Sequence, residues 1–386
     1  MRSRLLSAAL VLLTGCAGPT VSVATLAGLS GIESRQAAPS TLAIFTEPET
    51  GSAPIVQAIN QAKHSIRLAI YLFKDNEPAT QAIESALEAA AKRHVNVQVM
   101  LNAHFFASDT PPVPHGSELP ELMRGGGTTP IDSVNDPVFQ HLQSHGVAVA
   151  WTNPAFSITH EKIMLIDDAQ AFIMTSNFTR PAVAGSASAA PGQTNVFNRE
   201  FDVIDRSPAD VAELARCFDA DWARKAYTPP AAGPLAISPV TSRPKLTALI
   251  DSAHKEILSY QEELGDPTIL SHLEDRAKHG CTVKLLIPDN AKLTPAQRAK
   301  LAAIVAPLTK AGVQVRRPGS VDLYIHAKTY SVDNHQTYVG SINISSYSLD
   351  RNREVGLITD DAGIQTAISG TFAHDWATSL PLAPAL

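Results

Sequence analysis

The sequence predicts an α/β fold in which one unit of roughly 150 residues occurs twice. Three observations support this prediction. The length of 386 residues suits two domains or a duplicated one. Both halves show the same order of strand-like and helix-like patterns, and both contain one set of polar residues at matching offsets. An apolar fraction of 44% and a charged fraction of 18% are typical of a globular protein without extended disorder.

The strand and helix patterns recur in the same order in each half. In the first half, alternating apolar residues predict strands at 66–72 and 95–99, and helical spacing predicts a helix at 83–90 between them. The second half repeats this order with a helix at 246–250, a strand from 257, a helix at 270–277 and a strand at 283–287. Strand–helix–strand order at this spacing indicates parallel pairing with a crossover helix.

The N-terminus is predicted to be a targeting segment. Arg2 and Arg4 precede a short apolar run, which ends in Leu13-Thr14-Gly15-Cys16. This resembles a bacterial lipoprotein signal at residues 1–15, in which Cys16 becomes the lipidated first residue. A residue other than Asp after the Cys, here Ala17, implies the outer membrane, facing the periplasm. The protein is thus predicted to be lipid-anchored in the cell envelope.

The rest of the chain divides into a tether, two lobes and a linker. Small and polar residues at 16–40 predict the tether, and a Pro- and Ala-rich stretch at 227–240 predicts the linker. The lobes are expected at 41–226 and 241–382. The first lobe has two insertions, at 103–135 and 180–196, that are loops by composition and are expected to shape access to a site.

Two blocks of polar residues show the duplication most clearly. Each block has a His-x-Lys pair, an Asp five residues after the Lys, an Asn ten residues after the Asp, and then an Asn-Arg-Glu tripeptide. The first block consists of His160, Lys162, Asp167, Asn177 and Asn198-Arg199-Glu200. The second block consists of His326, Lys328, Asp333, Asn343 and Asn352-Arg353-Glu354. Such a repeat indicates one site assembled from two half-sites.

This set of residues suits the chemistry of a phosphodiester. Strand side chains alternate, so the His and Lys of each block are expected on one face of a strand. Lys ammoniums and Asn amides can stabilise the charge on a pentacoordinate phosphorus. One imidazole can attack phosphorus, while the other protonates the leaving alcohol and then activates the incoming water or alcohol. Glu200 and Glu354 are candidates for fixing the imidazole tautomers.

At these residues the chain resembles the phospholipase D superfamily, whose members carry paired His-x-Lys-(x)4-Asp motifs followed by Gly-Ser-x-Asn. The second block matches in full, with Gly340 and Ser341. The first block has Met174 and Thr175 instead, which keeps the hydroxyl but puts a close backbone approach in doubt. The resemblance implies two lobes related by a pseudo-twofold axis, each a mixed, mostly parallel sheet flanked by helices, with the active site at the lobe interface.

The resemblance also implies roles for individual residues. By analogy His160 is the nucleophile that forms a phosphohistidine and His326 is the acid and base, although the sequence itself is symmetric on this point. The catalytic set is predicted to be His160, Lys162, His326, Lys328, Glu200 and Glu354. Substrate contacts are predicted for Asn177, Asn343, Thr175 and Ser341. The motif residues Asp167 and Asp333 are predicted to be structural.

No cofactor or metal is predicted, because the Lys pair supplies the positive charge and His104 and His115 lack partners at ligand spacing. The predicted activity is a phospholipase D that hydrolyses or exchanges the head group of a phospholipid. A phosphatidyl transferase similar to cardiolipin synthases and a periplasmic endonuclease are the alternatives, followed by a non-catalytic binding protein. The expected partners are a phospholipid and the membrane surface. A net charge of −6 and the absence of a Lys/Arg run disfavour nucleic acid.

Overall fold

The fold was analysed in a computed structural model that describes residues 40–75, 77–103, 105–106, 130–131, 134–188 and 196–384. The predicted signal and nearly all of the tether, including Cys16, lie outside these residues. So do His104, His115 and most of the first insertion. The described residues all belong to one compact unit. Within the described part of the chain, none of the helices combines the length and apolar character needed to cross a membrane.

The first half builds an eight-stranded sheet. Its elements in chain order are β1 (Leu42–Glu47), α1 (Ala53–Gln61), β2 (Ser65–Ile70), α2 (Pro78–Lys92), β3 (Asn96–Leu101), the short β4 (Phe105–Phe106) and β5 (Pro130–Ile131), α3 (Asp136–Ser144), β6 (Ala148–Trp151), β7 (Lys162–Ile166), β8 (Gln170–Met174), α4 (Arg180–Val183), β9 (Phe197–Asp205) and α5 (Pro208–Trp222). The strand order is β1-β9-β8-β7-β2-β3-β6, and one strand from the second half pairs with β9. The second insertion begins with helix α4.

The second half builds another eight-stranded sheet. Its elements are β10 (Leu235–Ser238), α6 (Ser242–Asp251), β11 (Glu256–Tyr260), α7 (Pro267–Lys278), β12 (Thr282–Leu286), α8 (Pro295–Ala311), β13 (Gln314–Arg317), β14 (Leu323–Ile325), β15 (Lys328–Val332), β16 (Gln336–Gly340), α9 (Ser346–Asp350), β17 (Glu354–Thr359), α10 (Ala362–Thr378) and β18 (Leu380–Pro381). The strand order is β10-β17-β16-β15-β11-β12-β13-β18. Strand β10 lies inside the predicted linker and pairs with β17, because its Leu-Ala-Ile run is buried.

Both sheets are mixed, but the expectation that they are mostly parallel is wrong. The crossover pairs β2–β3 and β11–β12 are parallel, as predicted. The hairpins β7–β8 and β15–β16 and most other neighbours are antiparallel. Each hairpin turns through two consecutive residues with positive φ, Asp167-Asp168 and Asp333-Asn334. Asp and Asn tolerate this left-handed conformation better than most residues, so the chain can form a tight hairpin turn at each motif.

The motif aspartates also connect each hairpin to the neighbouring strand. The Asp167 carboxylate accepts hydrogen bonds from the backbone N–H groups of residues 63–65, and Asp333 does the same for residues 254–256. Partial burial acts to raise the pKa of both carboxyls, but the backbone donors lower each pKa below its ordinary value. These backbone contacts suit the structural role that was predicted for both residues.

Three apolar layers place the two sheets against each other. Alternation along β7 sends Met164 and Ile166 into the core of the first half and Ile163 and Leu165 to the opposite face. That opposite face belongs to a core shared by both halves, into which α5 and α10 also project. A separate core fills the outer side of the second sheet. The inner faces of the two central sheets therefore meet at one buried interface.

Candidate active site

Each His-x-Lys segment crosses from one half of the protein to the other. The expected continuous strand is interrupted: β7 and β15 begin at the Lys, and the His lies just before. The N–H groups of His160 and Glu161 donate to the carbonyl of Arg353, and that of Ala327 donates to the carbonyl of Arg199. Strand β14, immediately before His326, pairs in parallel with β9 of the first half. This exchange of backbone partners places both histidines at the interface.

The orienting carboxylates are exchanged in the same way. His160 Nδ1 lies 2.8 Å from Glu354 Oε2, and His326 Nδ1 lies 2.6 Å from Glu200 Oε1. Each imidazole is thus held by the tripeptide glutamate of the other half. All four side chains are at most 1% exposed. Because Nδ1 faces the carboxylate in both rings, Nε2 is the nitrogen left for chemistry.

Burial and attraction oppose each other at these glutamates, and attraction prevails. Burial alone acts to raise the pKa of Glu200, but His326 and the nearby ammonium of Lys328 hold it below its ordinary value. The pKa of Glu354 is lowered in the same way by His160 and Lys162. Both carboxyls are therefore ionised at neutral pH and can stabilise a positively charged imidazole.

The two lysines are buried beside their histidines. Lys162 Nζ donates to the carbonyl of His160 at 2.8 Å, and Lys328 Nζ donates to the carbonyl of His326 at 2.5 Å. Lys162 and His160 both contact the Tyr71 ring, and Lys328 and His326 both lie near Glu262, so each Lys lies on the same side as its own His. The two ammoniums supply the positive charge of the site.

Asn177 and Asn343 occupy equivalent positions and are almost fully buried. The side-chain oxygen of each has no hydrogen-bond partner among the described residues. A buried amide oxygen without a donor requires an explanation, and a substrate hydroxyl could provide that donor, while the amide NH2 group can donate to a phosphate oxygen. Their placement suits the predicted substrate contact.

The hydroxyls of Thr175 and Ser341 bind the strands that carry the orienting glutamates, and the substrate contact expected for both residues stays a prediction. The Thr175 hydroxyl donates to Glu200 at 2.7 Å and accepts from the N–H of Phe201. Ser341 accepts from the N–H of Val355 and also contributes to the lowered pKa of Glu354. The contact common to both hydroxyls is acceptance from the backbone N–H of the residue after the orienting glutamate, which Thr and Ser can both make.

The unusual Met174 is explained by its cross-strand neighbours. In the second half, a Cβ on Gly340 would lie only 2.3 Å from the Cα of Gly356, so this pair requires two glycines. In the first half Met174 lies opposite Asp202 and is buried in the core. The close backbone approach is thus present in one half only.

A buried aspartate beside the first motif does not belong to the repeat. Asp202 accepts hydrogen bonds from the backbone of residues 175 and 176 and from the Ser176 hydroxyl. Burial and the neighbouring Glu200 raise the pKa of Asp202 to about 7. The equivalent position of the second half is Gly356, which has no carboxylate. The repeat therefore could not indicate Asp202 as a site residue.

The two arginines of the tripeptides form ion pairs between the halves of the protein. Arg353 binds Asp221 on α5 of the first half, with Nε 2.7 Å from Oδ2. Arg199 binds Asp375 on α10 of the second half, with Nε 2.8 Å from Oδ2. Both pairs are buried. Each tripeptide therefore supplies a side chain to the site and a cross-lobe ion pair.

One position breaks the symmetry of the site. The residue after β2 is Tyr71, whose ring packs edge-on against His160 with centroids 4.7 Å apart. The equivalent residue, two positions past the end of β11, is Glu262, which lies 2.7 Å from Lys328 Nζ and 3.6 Å from His326 Nε2. His326 thus has a carboxylate near each nitrogen, whereas the corresponding neighbour of His160 is an uncharged ring. The repeated motifs give no signal for this difference.

The fold and this site define the protein as an enzyme of the phospholipase D superfamily, a class that acts on phosphodiesters. Residues 55–222 and 246–376 match the family described as "Cardiolipin synthase, PLD-like domain". Since the match covers well over half of the sequence, the chain belongs to that family.

Similar proteins of known name agree with this assignment. The chain is 23% identical over 364 residues to cardiolipin synthase A of Serratia proteamaculans (strain 568), covering 87% of this chain and 68% of the relative. It is 24% identical over 369 residues to cardiolipin synthase A of Yersinia pseudotuberculosis serotype O:1b (strain IP 31758), with the same coverage.

Solved structures show the same fold at low sequence identity. Phosphatidylserine synthase of Haemophilus influenzae Rd KW20 has a TM-score of 0.63 at 12% identity, with coverage of 89% of this chain and 87% of that one. Polyphosphate kinase of Porphyromonas gingivalis has a TM-score of 0.60 at 15% identity over 87% of this chain. This chain spans only 47% of that kinase.

Proposed function

We propose that the protein transfers phosphatidyl groups between alcohols through a covalent phosphohistidine. The observation that carries the proposal is the pair of buried imidazoles, each oriented by a carboxylate from the other half. The curated relatives named cardiolipin synthase A favour transfer over the head-group hydrolysis that the sequence analysis put first. Hydrolysis is the same reaction with water as the acceptor.

In the proposed first step, Nε2 of His160 attacks the phosphorus of the donor phospholipid. The P–O bond to the head-group alcohol breaks, and His326 gives its Nε2 proton to the departing oxygen. Lys162, Lys328 and the two asparagine amides stabilise the charge on the non-bridging oxygens. The products of this step are a phosphatidyl-histidine and a free alcohol.

In the second step, an acceptor hydroxyl enters where the first alcohol left. His326, now neutral, removes the hydroxyl proton while the oxygen attacks phosphorus. The P–N bond to His160 breaks, and the ring returns to its neutral form. An acceptor lipid yields a new phosphodiester, whereas water yields phosphatidic acid.

The surroundings of the two histidines support a phospholipid as the donor. On the His160 side, Tyr71, Leu72 and Ile158 form a small buried apolar cluster. On the His326 side, Glu262 and Glu263 are buried polar residues. An apolar diacylglycerol portion suits the first side, and a polar head group or acceptor alcohol suits the second. Lipidation at Cys16, proposed from the sequence, would keep the enzyme at a membrane surface.

Vesicles of phosphatidylglycerol test the proposal directly. Transfer from one phosphatidylglycerol to another gives cardiolipin and glycerol, whereas hydrolysis gives phosphatidic acid and glycerol. We expect cardiolipin as the main lipid product, formed equally well with a chelator present. Phosphatidic acid as the only lipid product would show that the protein hydrolyses phosphatidylglycerol and does not transfer its phosphatidyl group. Nicking of plasmid DNA without any lipid turnover would refute the lipid assignment and favour the nuclease.

Replacing Glu262 tests the proposed division of roles between the histidines. A carboxylate this close to Nε2 favours the protonated imidazole, which suits the group that must act first as an acid. In Glu262→Gln the pKa of His326 should fall, so the upper limb of the pH profile of kcat/KM should move to lower pH by about one unit or more. Tyr71→Phe, which removes no charge at the equivalent position, should leave that limb in place. An unchanged limb in the Gln variant would remove the structural support for His326 as the acid.

A further inference from the structure

Two helices on the outer side of the first half present pairs of metal-ligating residues to each other. Helix α2 carries Glu84 and Glu88, and α3 carries His141, with His145 at its C-terminal end. Each pair is spaced i, i+4, which places both members on one face of a helix. The pairs are more than fifty residues apart in the sequence, so no ligand-spacing motif indicates them.

The geometry brings three possible ligand atoms together. One oxygen of Glu88 and one ring nitrogen each of His141 and His145 all lie within 4.8 Å of one another. His141 Nε2 is 2.7 Å from Glu88 Oε1, and His145 Nε2 is 3.8 Å from Glu88 Oε2. The two imidazole rings lie side by side with centroids 4.5 Å apart.

The tautomer of His145 is suited to metal binding. Its Nδ1 lies 2.8 Å from the backbone carbonyl of His141. A carbonyl oxygen only accepts, so Nδ1 carries the proton and Nε2 of the neutral ring presents its lone pair. An Nδ1–H group held by a backbone carbonyl is the usual way in which a metal-binding imidazole is oriented.

Glu84 provides a second, independent indication of a ligand. It is 3% exposed, and its Oε1 has no hydrogen-bond partner among the described residues. Its Oε2 lies 3.8 Å from His141 Nε2, at the edge of the cluster. A nearly buried carboxylate oxygen without a donor is costly unless a cation or donor satisfies it. The only Lys or Arg paired with Glu88 in the described chain is Lys92, which is 67% exposed and can turn away.

We propose that Glu88, His141 and His145 bind a divalent zinc ion, with Glu84 as the fourth ligand or as a hydrogen-bonding neighbour. Two imidazoles with one or two carboxylates form a ligand set that suits zinc, whereas a calcium or magnesium site would use oxygen ligands alone. The site is separate from the phosphodiester chemistry and does not depend on the proposed function.

A bound ion would connect helix α3 to helix α2. Asn135, at the N-terminal end of α3, donates to the carbonyls of Tyr71 and Asn102 and accepts from the N–H of Phe73. At one end, helix α3 thus contacts the backbone of Tyr71, whose ring packs against His160, and at the other end it carries the proposed zinc ligands. The role assigned to the metal is structural.

Zinc binding to the full chain, purified without an affinity tag, tests the proposal. Titration against a chromophoric chelator should show one saturable equivalent of zinc, and a hundredfold excess over Kd should raise Tm by several degrees. His145→Ala and His141→Ala should each weaken zinc affinity at least about tenfold. Both rings are substantially exposed, so the variants should fold, and circular dichroism checks this.

His279→Ala is the matched control. His279 ends α7 with the same contact, its Nδ1 2.8 Å from the carbonyl four residues earlier, but it does not belong to a three-ligand group in the described chain. Its replacement should leave zinc affinity unchanged. The proposal is overturned by the absence of saturable binding. Binding that survives both His141→Ala and His145→Ala, or that His279→Ala weakens equally, also overturns it.

Discussion

Replacing His160 by alanine is expected to lower phosphatidyl turnover by about four orders of magnitude or more, because the proposed mechanism forms the covalent intermediate on Nε2 of this residue. The measurement is kcat on phosphatidylglycerol vesicles, with circular dichroism as a check on folding. His335→Ala, in the exposed turn between β15 and β16, should keep normal turnover.

The His326 variant separates the two roles. In His326→Asn the first step is slowed but the second lacks its base, so a phosphatidyl group should accumulate on His160. The adduct is detected by mass spectrometry after rapid denaturation at neutral or alkaline pH, where phosphoramidates survive. The assignment would be reversed if the His160→Asn variant accumulated an adduct on His326 and the His326→Asn variant accumulated none on His160. Full activity in the His160→Ala variant would rule out the proposed mechanism.

Replacing Arg353 by methionine is expected to lower the free energy of unfolding by about 3–5 kcal/mol, the usual cost of breaking a buried ion pair from one side. Asp221 would be left buried without its main counter-charge. It would also face Glu161, whose pKa burial and Asp221 already raise to about 8. The measurement is denaturant unfolding of the purified protein.

The neighbouring Arg351 provides the matched control. It is exposed, so Arg351→Met should change the free energy of unfolding by no more than about 0.5 kcal/mol. The double variant Arg353→Met with Asp221→Leu should recover much of the loss, because it removes the unpaired charge as well. A single Arg353→Met variant as stable as the wild type would show that the pair does not hold the halves together.

The repeated residues could be found in the sequence because a duplication preserves offsets. Strand alternation predicted that each His lies on the same side as its Lys, which the structure shows, although each His lies just before the strand and not within it. The crossover pairs β2–β3 and β11–β12 were also predictable, since strand–helix–strand order permits only a few arrangements. These features depend on local periodicity, which a single sequence displays.

Other features depend on contacts between distant segments. The sheets are richer in antiparallel pairs than predicted, because the sequence did not show that both motif aspartates turn the chain back on itself. The hydrogen bond from the Thr175 hydroxyl to Glu200 joins residues on two different strands, so no local pattern indicated it. The asymmetry between Tyr71 and Glu262 lies outside the repeated motif, and only superposition of the two strands makes the positions equivalent.

The amino-acid sequence alone determined which residues form the half-sites, the α/β class and the superfamily, since all three are encoded in spacing along one chain. Only the tertiary structure decided which glutamate orients which histidine. Each strand that carries a tripeptide pairs with the segment entering the opposite motif, and this exchange places Glu354 at His160 and Glu200 at His326. Backbone pairing between segments more than a hundred residues apart depends on how two sheets pack, which no local pattern records.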